Sequence, residues 1–221
     1  MPNRANDAAP SETLVKRSAP VQRPICANCV RPQTACICRW ITRVKNTTEV
    51  LILQHPLEVN HAKNSARLLH LSLPNSRILT GEAFDDGNLG AAMQPPKYAV
   101  LLYPQAAHDP APVADLALLQ DPTQWRLVVL DATWRKSRKM IHQSPLLRQL
   151  PRLSLEDVPA SQYTIRKAHK PEQLSTLEAT CRALAQAEGD AEKFRPLLQA
   201  FEGFVAQQLA YRQLQGAGLV D

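Results

Sequence analysis

The sequence predicts an α/β fold in which a mostly parallel sheet is flanked by helices. Three near-continuous apolar segments, at 49–54, 98–103 and 125–131, have the length and composition of buried strands. Such segments are typical of parallel strands that are covered on both faces. The segment at 190–214 instead repeats its apolar residues at the i, i+3, i+4 and i+7 spacing of a helix.

The strands are predicted, in chain order, at 49–54, 76–80, 98–103 and 125–131, with one more short strand at 152–155. Pro104 ends the third strand, and the fourth has the strongest strand signal because it is the longest apolar segment. Helices are predicted at 61–71, 133–142, 172–188 and about 190–214. The stripe of the last helix is assigned to core packing and consists of Phe194, Leu197, Leu198, Phe201, Val205 and Leu209.

The length and charge of the chain limit the kinds of protein that it can be. With 221 residues, 44% of them hydrophobic, the chain can bury one core, or one core with a small appendage. No apolar run is long enough to span a bilayer, and the first 23 residues lack the apolar segment of a secretory signal, so a cytosolic protein is expected. Residues 1–45 hold eight basic and two acidic side chains, a surplus equal to the whole net charge of +6. This surplus indicates either a region that meets a polyanion or a solvated tail.

Four cysteines lie within thirteen residues, at Cys26, Cys29, Cys36 and Cys38. Four thiolates at this spacing favour one tetrahedral, structural Zn²⁺, since four cysteines leave no open position for a catalytic water. Disulfides and an iron–sulfur cluster are the alternatives, and a reducing cytosol disfavours the first. The chain is therefore divided into a disordered tail at 1–23, a zinc-binding knuckle at 24–45 and a catalytic domain at 46–221.

Polar residues follow several of the predicted strands. His55 follows the first strand, Tyr103-Pro104 closes the third, and Asp131 ends the fourth, directly before Trp134. Open α/β sheets bind ligands beyond the carboxyl ends of their strands. Asp131 is therefore a candidate catalytic residue, with a helix N-cap as the alternative, and Trp134 is either a stacking platform for a base or a core residue.

Basic side chains cluster near these strand ends and indicate phosphate contacts. Each cluster alone is also compatible with a solvated face, but three clusters at strand ends favour contacts with a polyanion, which we assign to His55, Lys63, Asn64, Arg67, Arg135, Arg138, Lys139, Arg166 and Lys167. The chain has no G-x-G-x-x-G segment and no Walker A sequence, which argues against a Rossmann dinucleotide site and a P-loop.

In their order along the chain, these motifs resemble the DTW-domain proteins, the tRNA-uridine aminocarboxypropyltransferases. The matching pieces are the four cysteines, His55-Pro56-Leu57-Glu58, Asn64-Ser65-Ala66-Arg67-Leu68-Leu69, Leu73-Pro74-Asn75, Tyr103-Pro104, Leu130-Asp131-Ala132-Thr133-Trp134, Tyr163-Thr164-Ile165-Arg166-Lys167 and Leu174-Ser175-Thr176-Leu177-Glu178-Ala179. They cover about residues 24–210, and the chain departs from the common pattern at Ala132, where glycine is usual, and at Ser65, where threonine is usual.

The resemblance implies a SPOUT-like knotted α/β fold and a pocket for S-adenosyl-L-methionine among the knot loops. Mapped onto this sequence, the pocket residues are Tyr103, Pro104, Asp131, Thr133, Leu174, Ser175, Thr176 and Glu178. The implied reaction moves the 3-amino-3-carboxypropyl group to N3 of a tRNA uridine, usually in the variable loop, and releases methylthioadenosine. Asp131 and Trp134 are then the candidate catalytic residues: Asp131 is the base or a ligand of the co-substrate's ammonium, and Trp134 stacks on the uracil or the adenine.

Two other functions remain open from the sequence. One is a non-catalytic zinc-ribbon protein that binds RNA, and the other is an RNA methyltransferase that uses the same co-substrate. The partner expected in every case is RNA, specifically tRNA for the transferase. Nothing in the sequence indicates an obligatory protein partner.

Overall fold

The computed structural model describes residues 24–105, 110–155 and 174–216. It contains a five-stranded parallel sheet with the strand order β2-β1-β4-β3-β5. The strands are β1 (Glu49–Gln54), β2 (Ser76–Thr80), β3 (Tyr98–Leu102), β4 (Trp125–Asp131) and β5 (Arg152–Leu153). The helices are α1 (Pro56–Val59), α2 (Ala66–Ser72), α3 (Asp86–Ala92), α4 (Trp134–Gln143), α5 (Pro145–Gln149), α6 (Thr176–Ala187) and α7 (Arg195–Gly216), with short 3-10 helices at Gln33–Ala35, Cys38–Trp40 and Leu116–Leu119.

The predicted α/β class and parallel sheet are confirmed, and each predicted strand lies within three residues of its observed bounds. The prediction of a helix from residue 61 was wrong, because α2 begins only at Ala66. The side-chain oxygen of Asn64 accepts a hydrogen bond from the backbone N–H of Arg67 at 3.1 Å, which caps the helix and leaves 61–65 as a loop. Three short helices, α1, α3 and α5, were not predicted.

Alternate residues of the strands fill two hydrophobic clusters, one on each face of the sheet. Val50 and Ile52 of β1 face the cluster that includes α2, α6 and α7. Leu51 and Leu53 face the cluster formed with α3, α4 and α5. Every residue of β1 is buried, which explains why its sequence reads as a continuous apolar run.

The stripe of α7 packs as predicted at most positions. Leu197 and Phe201 are at most 1% exposed, as is Phe194, which precedes the helix because α7 begins at Arg195 and not near residue 190 as predicted. The prediction was wrong for Leu209, which is 37% exposed. It lies near the end of the helix, beyond the last buried apolar residue of the stripe, Val205. No helix among the described residues is both long and apolar enough to cross a membrane.

The cysteine module, residues 24–45, packs on α7 and shares the first hydrophobic cluster through Cys29, Ile37 and Val44. Gln207 of α7 connects the two parts, since its side chain accepts a hydrogen bond from the Trp40 indole and donates one to the Cys36 carbonyl at 3.1 Å. The contact also requires a glycine. A Cβ atom on Gly203 would lie 2.1 Å from the ring of Trp40.

An ionic cluster lies at the amino ends of the strands, at the opposite edge from the candidate site. Glu49 is buried and accepts from Arg126 at 2.9 Å and from Arg77. Burial alone would raise the pKa of Glu49, but the Arg126 and Arg77 guanidiniums outweigh it and the pKa lies below its ordinary value of 4.5.

Candidate active site at the carboxyl ends of β1 and β4

The side chain of Asp131 lies at the centre of the site and accepts three hydrogen bonds from the described part of the chain. One carboxylate oxygen accepts from Gln54 Nε2 at 2.9 Å and from Asn64 Nδ2, and the other accepts from Thr176 Oγ1 at 3.0 Å. All three donors are neutral, and Asp131 is only 1% exposed. A buried carboxylate is tolerated when hydrogen bonds satisfy it, and here three separate segments supply them.

Local structure explains how each donor reaches the carboxylate. Gln54 ends β1 and is paired in register with Asp131, the last residue of β4, so the two side chains are neighbours across the sheet. Asn64 belongs to the loop before α2, and its amide N–H₂ points to Asp131 while its oxygen caps the helix. Thr176 is the first residue of α6.

The amino end of α6 is held in shape by a capping box. The Ser175 side chain accepts from the Glu178 N–H at 3.2 Å, and Glu178 accepts from the Ser175 N–H at 2.8 Å. Ser175 and Glu178 are both buried, so their roles within the protein are to fix the turn. The predicted helix start at 172 was wrong for Leu174 and Ser175, which precede the helix; residues 172 and 173 lie outside the described residues.

Asp131 does not cap the helix that follows it. Thr133 is the N-cap of α4, and its side chain accepts from the Lys136 N–H. This arrangement removes the alternative in which Asp131 serves only as a helix cap.

Trp134 forms the outer part of the site. It is 43% exposed at the first position of α4, and its ring meets the ring of Tyr103 edge-on with the centroids 5.5 Å apart. The Tyr103 hydroxyl and the Ser137 hydroxyl lie 3.0 Å apart, which connects the end of β3 to α4. Pro104 is exposed beside them. A half-exposed indole that is supported by a second aromatic ring can stack on a base.

Two predicted RNA-contacting residues lie inside the protein. His55 is 5% exposed and caps α1, where its Nδ1 accepts from the Leu57 N–H at 3.2 Å. Its Nε2 faces Glu82 at 3.7 Å. Asn64 is 1% exposed and is bound to Asp131, as described above. The side chains of both residues therefore belong to the inner wall of the site.

The other predicted RNA contacts lie nearer the surface. Arg135 and Arg138 are exposed on α4, and Lys139 on the same helix forms an ion pair with Glu82 at 2.5 Å. Lys63 and Arg67 are half-buried. Arg166 and Lys167, with the Tyr163 motif around them, lie outside the described residues.

The four predicted metal ligands converge. The sulfurs of Cys26, Cys29, Cys36 and Cys38 all lie within 4.8 Å of one another, with 3.6 Å between Cys26 and Cys38 and 3.8 Å between Cys29 and Cys36. Zn–S bonds of about 2.3 Å in a tetrahedron put the sulfurs about 3.8 Å apart, so the cluster has the dimensions of a metal site. Hydrogen bonds from the N–H groups of Cys29 and Asn28 lower the pKa of the Cys26 thiol to about 6. The lone Cys181 is buried, as predicted, and burial raises the pKa of its thiol.

Sequence reasoning missed one residue of the site and did not connect another with Asp131. Gln54 was read only as the last residue of a strand, and Asn64 was assigned to RNA. The available signal was the polarity of Gln54 at the end of an otherwise apolar strand, at the same sheet edge as Asp131.

Comparison with known proteins identifies relatives over most of the chain. The model of the DTW domain matches residues 23–209. Among the similar curated proteins, "tRNA-uridine aminocarboxypropyltransferase A" of Arabidopsis thaliana is 30% identical, over 86% of this chain and 83% of that protein. "tRNA-uridine aminocarboxypropyltransferase 2" of Drosophila melanogaster is 28% identical, over 88% of this chain and 79% of that protein. The protein of the same name from Macaca fascicularis is 27% identical over 86% of this chain, and the match spans 65% of that relative's length. No solved structure matches the chain.

Proposed function

The chain belongs to the DTW domain family, and we propose that it moves the 3-amino-3-carboxypropyl group of S-adenosyl-L-methionine to N3 of a tRNA uridine. The relatives that carry the transferase name support this activity. The observation that carries the proposal is the buried Asp131 centre at the carboxyl ends of β1 and β4, beside an exposed indole. A protein that only binds RNA has no need of such a centre.

The reaction is a displacement at carbon. N3 of the uridine loses its proton and attacks the γ-carbon of the amino-acid arm, the bond from that carbon to sulfur breaks, and the sulfur keeps the electron pair as methylthioadenosine leaves. Orientation in the pocket selects this carbon over the methyl group. The neutral leaving group needs no proton, so the only proton to be taken is that of N3.

Asp131 is the proposed acceptor of the N3 proton. A carboxylate offers about four acceptor positions, and the described residues fill three of them. The remaining position can take the proton of N3 or bind the ammonium of the co-substrate.

The co-substrate is proposed to lie between the ends of β3 and β4 and the start of α6. In this proposal the co-substrate contacts Tyr103, Pro104, Thr133 and the turn at Leu174 and Ser175. The amino end of a helix carries partial positive charge, which suits the carboxylate of the co-substrate. Ser175 and Glu178 would act there by shaping the α6 turn, while Thr176 connects the turn to Asp131.

The tRNA is proposed to approach over α4. Trp134 stacks on an unstacked base, and the exposed cations Arg135 and Arg138 meet the phosphates. Uridine must leave its stack to present N3, which favours a loop nucleotide such as one in the variable loop.

We further propose that the cysteine cluster holds one structural Zn²⁺. The four cysteine sulfurs and their spacing suit this ion, and all four positions of a tetrahedron are then filled by protein. When bound, the ion supplies the folding free energy that a segment of this size with few core residues lacks.

The finer topology, a SPOUT-like trefoil knot, is also a proposal. It is supported by the strand order, in which β5 lies at the sheet edge while the start of α6 returns to the end of β4. An experimental structure that traces residues 150–180 tests the threading.

Mass spectrometry of tRNA after reaction with the purified protein tests the function. An added aminocarboxypropyl group on uridine supports the proposal. An added methyl group identifies a methyltransferase instead, and unmodified tRNA that still binds identifies an RNA-binding protein.

A further inference from the structure

The cysteine module is tied to the loop that carries Asn64. The two terminal nitrogens of Arg31 donate to two carbonyls of that loop, to Ala62 at 2.7 Å and to Asn64 at 2.8 Å. The guanidinium also lies over the ring of Phe204 in α7, 5.5 Å from its centroid. A planar fork that spans two carbonyls fixes the backbone between them more firmly than a single donor does.

A second, weaker connection runs in parallel. Arg67 donates to the Asn28 carbonyl at 3.4 Å, and the Asn28 amide donates to Cys38 Sγ, also at 3.4 Å. Residues 61–67 are thus bound at two points to the segment that contains the metal ligands. Since Asn64 donates to Asp131 from within this loop, the position of the loop sets the position of one donor at the centre.

We propose that Arg31 is a positioning residue for the transfer reaction, through which the cysteine module holds Asn64 against Asp131. The inference deepens the proposed function and rests on it. The module then has two effects: it stabilises its own fold, and it sets the geometry of a site to which it contributes no reacting group. Mutation of residues that orient metal ligands changes activity by about tenfold to a hundredfold, and we expect an effect of the same order for Arg31.

Arg31→Lys tests the proposal because it keeps the charge and most of the aliphatic stem but cannot span both carbonyls. Arg39→Lys is the matched control, since Arg39 is exposed on the same module and its guanidinium lies over Trp40. Both variants should retain their metal and melt close to the wild type. Hydrogen exchange should rise at residues 61–67 in Arg31→Lys alone, with α3 as the unchanged internal reference.

A double-mutant cycle separates positioning from general stability. Asn64→Ser keeps a helix cap but removes the amide donor to Asp131. At saturating co-substrate, the rate should fall by about tenfold or more in Arg31→Lys and in Asn64→Ser, and the double variant should be no slower than Asn64→Ser. The affinity for tRNA should stay that of the wild type in Arg31→Lys.

Three results would overturn the inference: multiplicative rate losses in the double variant, a normal rate in Arg31→Lys, or loss of metal and fold in Arg31→Lys, which would restrict Arg31 to stabilising the module. Failure of the proposed function is a distinct result. If the wild-type protein transfers nothing, hydrogen exchange at residues 61–67 still shows whether Arg31 fixes the loop that carries Asn64.

Discussion

Replacing Asp131 by asparagine tests the centre of the site with little change of shape. The structure indicates that an asparagine side chain at this position can satisfy every neighbour. Its oxygen can accept from Gln54 and Asn64, as one carboxylate oxygen does now, while its N–H₂ donates to the Thr176 hydroxyl, which can also accept. Alanine is a poor probe, because it would leave three buried donors without their acceptor.

The expected loss of stability can be worked out from these contacts. A hydrogen bond to a charged group is worth about 1 kcal/mol more than a neutral one, so three such bonds lose about 3 kcal/mol. The neutral amide is cheaper to bury than a carboxylate, which offsets part of that loss. A net destabilisation of about 1–2 kcal/mol lowers the Tm by about 2–8 °C in a chain of this size.

The rate should change far more than the stability. If Asp131 takes the N3 proton, Asp131→Asn should bind S-adenosylmethionine and tRNA normally and turn over about 10²–10⁴ times more slowly. If Asp131 instead binds the co-substrate's ammonium, the affinity for S-adenosylmethionine should fall together with the rate. Calorimetry and single-turnover rates on the same variant distinguish the two roles. Asp121→Asn, an exposed carboxylate before the opposite end of β4, is the control, and near-normal turnover in a folded Asp131→Asn would refute the catalytic role.

Other parts of the molecule give four further predictions. Cys36→Ser should bind less than one zinc per chain and be less soluble, as elemental analysis and melting curves can show; a zinc-free wild type would refute the metal site. Joint replacement of Arg138 and Lys139 by alanine should flatten the dependence of log affinity for tRNA on log salt, and an unchanged slope would remove them from the interface. The folded-state pKa of Glu49 lies below 4.5, so ionised Glu49 stabilises the fold fully above that pH, and the stabilisation is lost as the pH falls through the folded-state pKa. Glu49→Gln should remove this part of the pH dependence and lower the free energy of unfolding at neutral pH by about 3 kcal/mol, as denaturant titration can measure. Gly203→Ala should destabilise the protein by about 1–3 kcal/mol, since its Cβ would lie 2.1 Å from the neighbouring indole, and a variant as stable as the wild type would contradict this packing.

The parts of the fold that depend on local pattern could be predicted from the sequence. Strand β1 is buried at every position, so its apolar run is continuous and its bounds are easy to read. The same reasoning put helix α2 five residues too early, because the apolar spacing does not show that Asn64 uses its side chain to cap the helix. At this position the apolar spacing predicts helix, but the side chain of Asn64 forms a hydrogen bond with the backbone that sets the start of the helix later.

The contacts of the site could not be predicted in the same way, because they join residues that are distant in the chain. Gln54 and Asp131 are 77 positions apart and meet only because β1 and β4 pair in register. Arg31 and Asn64 are 33 positions apart and meet only because the cysteine module packs beside the loop. Sequence reasoning identified Asp131 from its place at a strand end, but strand order was needed to identify its partners.

The chemistry of those partners bears on what the site can bind. An arginine or lysine beside a buried carboxylate forms an ion pair and cancels its charge. Among residues 24–105, 110–155 and 174–216, the donors at Asp131 are two amides and a hydroxyl, which satisfy its oxygens without adding a positive charge. The nearby lysines of α4 are paired elsewhere, Lys136 with Glu58 and Lys139 with Glu82. In the proposed reaction, a carboxylate whose described partners are all neutral is complementary to a co-substrate that carries both a sulfonium and an ammonium group, and it also leaves an acceptor for the proton of N3.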